Sequence, residues 1–395
     1  MIYGGTTIDF GGDMSDTSTS EPVEVHGHCD ERFGAVRDAF IANFASGAEI
    51  GACAAVTLDG ESVVDLWAGN RNAAGDPWEQ DTIVNVYSTT KTMAGVCMLM
   101  LADQGRLDFD APVARYWPAF AKNGKRDVLV SHVMSHQAGL SGFEPAIQPT
   151  DLYDTEAVAD LLAAMEPWWE PGTASGYHAV TQGQLQGEIL RRIDGRSLGT
   201  FFREEVAGPL GADFHIGLDP AEGDRVAELD PPFEAMDAVP DLDTIATRTF
   251  RSVPMTALEP RTAEWRAAEI PAAGGTGNAR AVARVLSALA CGGTVDGVTL
   301  MSAEGTKVPL QEQCIGKDLV LGVGARFGMG FGLNHPNGPV TPTDTTYHWG
   351  GWGGSTAIVD VGKRLSISYV MNNMADGLMG DPRGASITDA TYASL

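Results

Sequence analysis

The sequence predicts an α+β fold, an antiparallel sheet flanked by helices, with a mostly helical domain inserted into it. Two observations lead to this prediction. Pairs of strand-like runs lie near both ends of the chain, at 50–69 and 347–373, and the long middle alternates helical stretches with loops. Hairpins at both ends, with helices between them, indicate one domain built from both chain ends. The chain has 395 residues, of which 44% are hydrophobic, enough for a large core.

The N-terminal elements are a helix, a hairpin and a second helix. Residues 32–47, RFGAVRDAFIANFASG, have helical periodicity and end at a glycine. The stretch IGACAAVTLDGESVVDLWAG contains two strand-like runs around Asp59-Gly60, which is a hairpin signal. An apolar helix at 88–104 follows, within VYSTTKTMAGVCMLMLADQG. These elements begin an α/β domain that we expect to comprise residues 30–95 and 260–395.

The middle of the chain, 96–259, is predicted to be a mainly helical domain with lid-like loops. Residues 126–255 alternate helical stretches with long loops rich in proline and glycine. Within them, the segment 214–245 is acidic and contains four prolines. We therefore expect an irregular surface or lid loop there.

The C-terminal part returns to regular elements. TGNARAVARVLSALACGG, at 276–293, predicts a helix with Asn278 as its N-cap and a glycine stop. YHWGGWGGSTAIVDVGKRLSISYVMNN, at 347–373, predicts two antiparallel strands that turn at 361–363. These strands supply the second half of the predicted sheet.

Composition and charge restrict the partners of the protein. Lysine and arginine number 26 and aspartate and glutamate 52, so the formal net charge is −26. Such a surface repels phosphate backbones and anionic lipids, so we expect no nucleic-acid partner and no membrane partner. No apolar run reaches the length of about 18 residues that spans a bilayer. The charge suits a neutral or cationic small-molecule substrate, and the oligomeric state stays open.

The N-terminal residues and the cysteines bear on the location of the protein. Residues 1–29 are expected to be a disordered polar leader, because they lack the basic and apolar regions of a secretory signal. The change in character at Met14 makes it an alternative to Met1 as the natural start. The five cysteines are odd in number, widely scattered and without CxxC spacing, which indicates reduced thiols. We therefore expect a cytoplasmic protein.

The helix at 88–104 places Ser88 and Lys91 three residues apart on one face. One interpretation is a solvated first turn, from which the lysine extends into water. The other is catalytic, because Ser88 lies at a strand-to-helix junction where unpaired backbone N–H groups polarise a nearby oxygen. Burial among apolar neighbours would lower the lysine pKa, so that the neutral amine accepts the hydroxyl proton.

Two other groups of side chains have the chemistry of a site. The histidines and the cysteine at 26–29 resemble a metal site, but they lie in the polar leader, and we expect no metal. His136, His178 and His348 are candidates for a Ser-His-Asp triad. The chain contains no G-x-S-x-G elbow, which argues against that triad.

Three further stretches complete a pattern with the Ser-x-x-Lys pair. WWEPGTASGYHAVTQG, at 168–183, places Tyr177 after a Pro-Gly turn, and HWGGWGGSTAIVD, at 348–360, is rich in glycine. SHVMSHQAGLSG, at 131–142, is similar to the LLTHTSGL segment of the serine β-lactamase/penicillin-binding-protein superfamily. The four motifs, in this order, resemble that superfamily, and most of all the family VIII carboxylesterases related to class C β-lactamases. The resemblance covers roughly residues 30–380.

The resemblance implies roles for the matched catalytic residues. Ser88 corresponds to the acylated nucleophile and Lys91 to its proton acceptor. Tyr177 matches the tyrosine of the Tyr-x-Asn motif and would share proton transfer with Lys91. The backbone N–H groups of Ser88 and Trp352 would form the oxyanion hole.

The resemblance also implies a substrate-binding strand at 349–352. Gly350 and Gly351 would let the substrate approach the backbone closely, between Trp349 and Trp352. Trp349 stands where β-lactamases carry Lys or His, and Ala179 stands where the motif has asparagine. Both departures remove partners of a β-lactam and favour uncharged esters.

The predicted function is that of a serine carboxylesterase acting on small or short-chain esters through an acyl-enzyme. The alternatives that keep the same site are an acyltransferase, a weak β-lactamase and a D-amino-acid amidase. A binding protein that retains the fold without turnover is the alternative of a different class. The mechanism implies no cofactor and no metal.

Overall fold

A nine-stranded antiparallel sheet contains strands from both ends of the chain. The computed structural model describes residues 23–231, 243–338, 340–378 and 380–395. Its strands are β1 (Val25–Cys29), β2 (Gly51–Leu58), β3 (Glu61–Gly69), β4 (Val84–Asn85), β5 (Phe214–His215), β6 (Thr276–Gly277), β7 (Thr294–Val295), β8 (Val298–Thr299), β9 (Cys314–Lys317), β10 (Gly324–Phe327), β11 (Gly332–Leu333), β12 (Thr346–Gly350), β13 (Thr356–Asp360) and β14 (Leu365–Met371). The order in the large sheet is β1-β3-β2-β14-β13-β12-β11-β10-β9, and β4-β6-β5 and β7-β8 form two smaller sheets. The predicted α+β class with an antiparallel sheet is confirmed.

Helices flank this sheet and dominate the middle of the chain. They are α1 (Gly34–Ala45), α2 (Thr90–Asp103), α3 (Val130–Met134), α4 (Thr155–Ala164), α5 (Thr181–Asp194), α6 (Leu198–Phe202), α7 (Gly208–Leu210), α8 (Ile245–Arg251), α9 (Ala263–Ala267), α10 (Ala279–Ala290) and α11 (Pro382–Ala393). Helix α2 is buried over almost its whole length and packs on α5 and α6. The domain boundary predicted between residues 95 and 96 lies within this continuous helix.

Helices cover both faces of the large sheet. On one face, α10 packs on β2, β13 and β14, and the Ser366 hydroxyl of β14 donates to the Ala283 carbonyl. On the other face, α1 packs on α11, and Phe40 of α1 contacts Tyr369 of β14. Because both faces are covered, every residue of β14 is buried. Coverage on both faces leaves even the serines of β14, Ser366 and Ser368, fully buried.

Several predicted elements are present. The hairpin around Asp59-Gly60 joins β2 to β3, and the turn at 361–363 lies between β13 and β14. Asn278 caps α10, since its side chain accepts a hydrogen bond of 2.9 Å from the Ala281 N–H. Of the irregular segment expected at 214–245, the described part contains β5 and a 3-10 helix at Pro220–Arg225. Residues 232–242 lie outside the described residues.

The prediction of a disordered leader is wrong for its last residues. Residues 25–29 form β1, which pairs antiparallel with β3 at the edge of the sheet. An edge strand is held by main-chain hydrogen bonds on one side and faces solvent on the other. Its sequence, VHGHC, can therefore be polar, and it carries no apolar alternation to reveal a strand. Residues 1–22 lie outside the described residues.

The glycine-rich stretch at 347–360 forms two strands rather than one. β12 ends at Gly350, β13 begins at Thr356, and residues 351–355 connect them. This connection, the glycine turn, has positive φ angles of 94° at Gly353 and 127° at Gly354. Only glycine adopts such angles without strain, so the glycines make a turn where a continuous strand was predicted.

Two further expectations concern membranes and thiols. No helix among the described residues is long and apolar enough to cross a membrane. All five cysteines lie in the described ranges, and each is a free thiol.

Candidate active site

The junction before α2 holds Ser88 in a constrained turn. The chain leaves β4 and forms a short 3-10 helix at Tyr87–Thr89 before α2 begins. Tyr87 has a left-handed φ of 42°, and its N–H donates to the Asn85 side chain at 3.1 Å. The Thr90 hydroxyl donates to the Tyr87 carbonyl at 2.5 Å. Left-handed backbone at a residue other than glycine persists only where the surroundings impose it, and such strain concentrates at functional sites.

Lys91 is buried beside Ser88, with only 1% of its surface exposed. Its Nζ lies 3.0 Å from Ser88 Oγ and donates to the carbonyl oxygens of Ala179, at 2.6 Å, and Ala272, at 2.9 Å. Burial holds the pKa of the amine well below its usual value. A neutral amine has two N–H groups and one lone pair. The two carbonyls engage both N–H groups, which leaves the lone pair for the Ser88 hydroxyl.

Tyr177 completes the contacts of Ser88. It lies just before α5, and its hydroxyl oxygen is 2.5 Å from Ser88 Oγ. Burial raises the pKa of Tyr177 to about 12, so the phenol keeps its proton near neutral pH. The Trp349 ring lies next to that of Tyr177, with ring centroids 6.0 Å apart.

These contacts give the hydrogen-bond chain a direction. Because Ser88 has a single proton and the neutral Lys91 offers it a lone pair, the Tyr177 hydroxyl donates to Ser88 Oγ. The proton of Ser88 is then directed to the lone pair of Lys91. The arrangement suits removal of a proton from Ser88 by Lys91 and supply of a proton by Tyr177.

Asp318 supports Tyr177 and was missed by sequence reasoning. Its fully buried carboxylate oxygen Oδ1 accepts the backbone N–H groups of Tyr177, at 3.0 Å, and of Val320 and Leu321, each at 2.9 Å. The Leu319 N–H also donates to the carbonyl at residue 175, so the β9–β10 connection is attached to the segment that carries Tyr177. One aspartate in a hairpin loop carries no sequence signal for this contact.

The histidines do not form a triad with Ser88. His178 Nδ1 lies 2.6 Å from the Gly176 carbonyl, and its Nε2 accepts from the Leu140 N–H at 3.2 Å. His136 Nδ1 accepts the His178 backbone N–H at 3.1 Å, and the His136 ring stacks on Trp349. Both rings are therefore packing partners of the segment around Tyr177.

His348 lies on β12 next to Trp349, and alternation along the strand directs neighbouring side chains to opposite faces. Burial lowers the pKa of His348 to about 4, so the ring is neutral. The partners of Ser88 Oγ in the described residues are Tyr177 and Lys91.

The predicted substrate-binding residues lie on two sides of Tyr177. A small cavity of about 50 Å³ is lined by Ser88, Tyr177 and Trp352 together with apolar side chains. A larger cavity of about 420 Å³ is lined by Tyr177, Trp349 and the glycines at 350–351. Trp352 is 8% exposed and packs against Tyr87, with ring centroids 5.1 Å apart.

The cluster at 26–29 lies on the edge strand β1, away from Ser88. The His28 ring contacts Asp30 at 2.7 Å, and the His26 ring stacks on Trp67. In the ranges that the structure describes, no group of three or more His, Cys, Asp or Glu side chains is arranged to hold a metal ion.

A Ser-x-x-Lys pair at the start of a buried helix, beside an antiparallel sheet, is typical of the serine β-lactamases and penicillin-binding proteins. The chain belongs to the Beta-lactamase family, whose sequence profile matches residues 36–391.

Individual relatives are similar along most of the chain. A solved family VIII carboxylesterase is 44% identical, with a TM-score of 0.88, over 94% of this chain and 100% of that one. A penicillin-binding protein homologue from Caulobacter crescentus is also 44% identical, with a TM-score of 0.87 and the same coverage. The Esterase/beta-lactamase LipL of Mycobacterium tuberculosis is 38% identical over 371 residues, which is 90% of this chain and 84% of that protein.

Proposed function

We propose that the protein is a serine carboxylesterase that hydrolyses small esters through an acyl-enzyme on Ser88. The observation that carries the proposal is the contact of Ser88 Oγ with both the buried amine of Lys91, at 3.0 Å, and the hydroxyl of Tyr177, at 2.5 Å. The similarity to a family VIII carboxylesterase and to an esterase/beta-lactamase supports ester hydrolysis as the chemistry.

In the first step, Ser88 Oγ bonds to the carbonyl carbon of the ester while its proton passes to Lys91. The carbonyl oxygen becomes an oxyanion, which we assign to the backbone N–H groups of Ser88 and Trp352. When the ester C–O bond breaks, the leaving oxygen takes the Tyr177 proton, and Lys91 restores it. Lys91 and Tyr177 both contact Ser88 Oγ, so the proton moves over a short distance.

In the second step, water attacks the acyl carbonyl and gives its proton to the neutral Lys91. The bond between the acyl carbon and Ser88 Oγ then breaks, and Oγ takes the proton from Lys91 as the carboxylic acid leaves. Lys91 thus acts as base in both steps, which requires that it return to the neutral form after each one.

The small cavity supports short acyl chains as the preferred substrates. Its walls include Phe143, Val253 and Met255, and it encloses about 50 Å³. Apolar walls of this kind bind alkyl groups, and a volume this small has space for a short chain only. The larger cavity next to Trp349 is then available for the alcohol part of the ester.

The proposal is tested by labelling and turnover on one preparation. A fluorophosphonate probe should modify Ser88, identified by mass spectrometry of the labelled peptide, and p-nitrophenyl butyrate should be hydrolysed. The Ser88→Ala variant should do neither while keeping the wild-type circular dichroism spectrum. A folded wild-type protein that is neither labelled nor active would contradict the proposal and favour a binding protein.

Weak β-lactamase activity is the second candidate, because one relative carries both activities in its name. A penicillin brings a carboxylate and an amide, and each needs a partner once water is excluded. The side chain at Ala179 offers no amide, and Trp349 offers no cation. We therefore expect kcat/KM for p-nitrophenyl butyrate to exceed that for ampicillin by at least about a hundredfold, with nitrocefin in between. Equal values for ampicillin and the ester would contradict this selectivity.

A further inference from the structure

The buried hydroxyl of Ser355 connects the turn that carries Ser88 to the glycine turn. Ser355 Oγ donates to the Val86 carbonyl at 2.9 Å and lies 2.9 Å from Thr89 Oγ1. A serine hydroxyl has one proton, and the Val86 carbonyl takes it, so Thr89 must donate to Ser355. Ser355 is only 3% exposed and Thr89 is fully buried, so both bonds lie away from bulk water.

The two bonds reach the chain on both sides of the nucleophile. Val86 precedes Ser88 by two residues, and Thr89 follows it directly. The Ser355 hydroxyl therefore bonds to the chain both before and after Ser88 and fixes the short segment in which Ser88 lies. Ser88 itself makes neither bond, so its hydroxyl stays available to Lys91 and Tyr177.

On its other side, Ser355 closes the glycine turn. Its carbonyl accepts the Gly351 N–H at 2.8 Å, across the turn that contains Trp352. A Cβ atom at Gly351 would lie 2.1 Å from the Val86 carbonyl oxygen and 2.3 Å from Ser355 Oγ. The two turns are thus in direct backbone contact, and Ser355 bonds to both.

We infer that Ser355 is a positioning residue that sets the distance between the backbone N–H groups of Ser88 and Trp352. This inference rests on the proposed function, in which those two groups hold the oxyanion. Donors to an oxyanion act only at hydrogen-bond distance from the position that the charged oxygen reaches, so a small displacement of one turn weakens the transition state more than the bound substrate.

The chain contains a matched control at a distance from the site. Ser366 of β14 is fully buried, donates to the Ala283 carbonyl at 2.8 Å and lies 2.7 Å from Thr57 Oγ1. It therefore has the same pair of partners as Ser355, a backbone carbonyl and a threonine hydroxyl. Its bonds connect β14 to α10 and β2, and it lines neither of the two cavities beside Tyr177.

The test compares Ser355→Ala with Ser366→Ala in the full-length protein. We expect Ser355→Ala to lower kcat for p-nitrophenyl butyrate by about 10- to 50-fold, with KM changed less than about threefold. Binding of an arylboronic acid, which adds to Ser88 and mimics the tetrahedral oxyanion, should weaken by a similar factor when measured by calorimetry. Ser366→Ala should lose a comparable amount of thermal stability but stay within about twofold of wild type in both measurements.

A second variant keeps the test decisive if Ser355→Ala does not fold. Thr89→Val removes one of the two bonds and should lower kcat by about 3- to 10-fold. Equal kcat and equal boronic-acid affinity for wild type and Ser355→Ala, or equal losses in Ser355→Ala and Ser366→Ala, would overturn the inference. Wild-type ester turnover, measured in the same experiment, reports on the proposed function separately, and boronic-acid binding does not depend on turnover.

Discussion

Two lysines are buried in the part of the chain that the structure describes, and they lie in different surroundings. Lys91 and Lys125 are exposed by 1% and 0%. Lys91 Nζ contacts two carbonyl oxygens and Ser88 Oγ, whereas Lys125 Nζ donates to the Met165 carbonyl. Burial lowers the pKa of both amines, that of Lys91 far below its usual value and that of Lys125 to about 8. The Glu166 carboxylate opposes the decrease at Lys125.

The comparison shows that desolvation alone does not make a lysine a base. A base needs a neutral lone pair and a proton donor within reach, and Ser88 supplies the donor for Lys91 only. The aromatic contacts of the two amines are similar, since Lys91 lies 4.9 Å from the Tyr177 ring centre and Lys125 lies 5.4 Å from that of Phe120. The hydroxyl, rather than the burial, distinguishes the catalytic candidate from the structural lysine.

The largest expected effect separates the two lysines by activity. Lys91→Met should lower kcat/KM for p-nitrophenyl butyrate by at least about a thousandfold, and Ser88→Ala by a similar factor, because nucleophile and base act as one unit. Lys125→Met should keep activity within about twofold of wild type. Steady-state kinetics on variants with native circular dichroism spectra measure this difference. Near-normal activity of Lys91→Met, or equal losses in the two lysine variants, would remove the distinction.

A smaller effect is expected at the carboxylate that holds Tyr177 beside Lys91. Asp318→Asn should lower kcat about tenfold, because the amide is a weaker acceptor for the Tyr177 N–H and its NH₂ group enters a buried position without a described acceptor. The substitution should also lower the pKa of the Tyr177 phenol, because the negative charge of Asp318 raises that pKa. Ultraviolet titration of the tyrosinates and the rate profile above pH 9 measure that change.

Asp360 provides the control for this variant. It is fully buried and accepts the backbone N–H groups of Gly362 and Lys363, each at 3.0 Å, at the turn between β13 and β14. Asp360→Asn should reduce the stability of the protein without changing kcat or the dependence of the rate on pH. If both aspartate variants lose activity equally, Asp318 stabilises the fold rather than the position of Tyr177.

The pH dependence should identify Lys91 and not Lys125. Activity should fall as the pH drops through the lowered pKa of Lys91, because the protonated amine has no lone pair for the Ser88 proton. It should then stay high to about pH 10, since burial raises the pKa of Tyr177 to about 12. The acid limb is therefore the titration of the Lys91 amine, and Tyr177 titrates only at the alkaline end. Lys125→Met should leave the midpoint of the acid limb unchanged, and a shift in that variant would contradict the assignment.

The smallest effect is on the free energy of unfolding, and it is expected from the titration of Lys125. Its pKa is about 8 in the folded protein and about 10.4 in an unfolded chain, so between these values the unfolded state holds the extra proton. The free energy of unfolding therefore rises with pH through this window. Relative to Lys125→Met, the wild type should gain about 2 kcal/mol between pH 8 and about pH 10. Urea unfolding at both pH values tests this sign, and a constant difference would contradict it.

Local patterns were sufficient for much of the fold. The Asp59-Gly60 turn, the Asn278 cap and the apolar run at 88–104 each produce their element through short-range preferences that sequence retains. The edge strand β1 was missed because its solvent-facing residues need no apolar alternation. The glycine turn was missed because positive φ at Gly353 and Gly354 ends a strand that the flanking residues alone would continue.

The sequence by itself determined the proximity of Ser88 and Lys91, because a spacing of three on a helix places them on one face. Through the resemblance of its motifs, the sequence also predicted that Tyr177 and Trp349 belong to the same site. Only the tertiary structure decided the contacts among groups far apart in the chain. Asp318 is 141 residues from Tyr177, and Ser355 is 269 residues from Val86. Such pairs depend on the packing of distant backbone segments, which no local preference of either residue encodes.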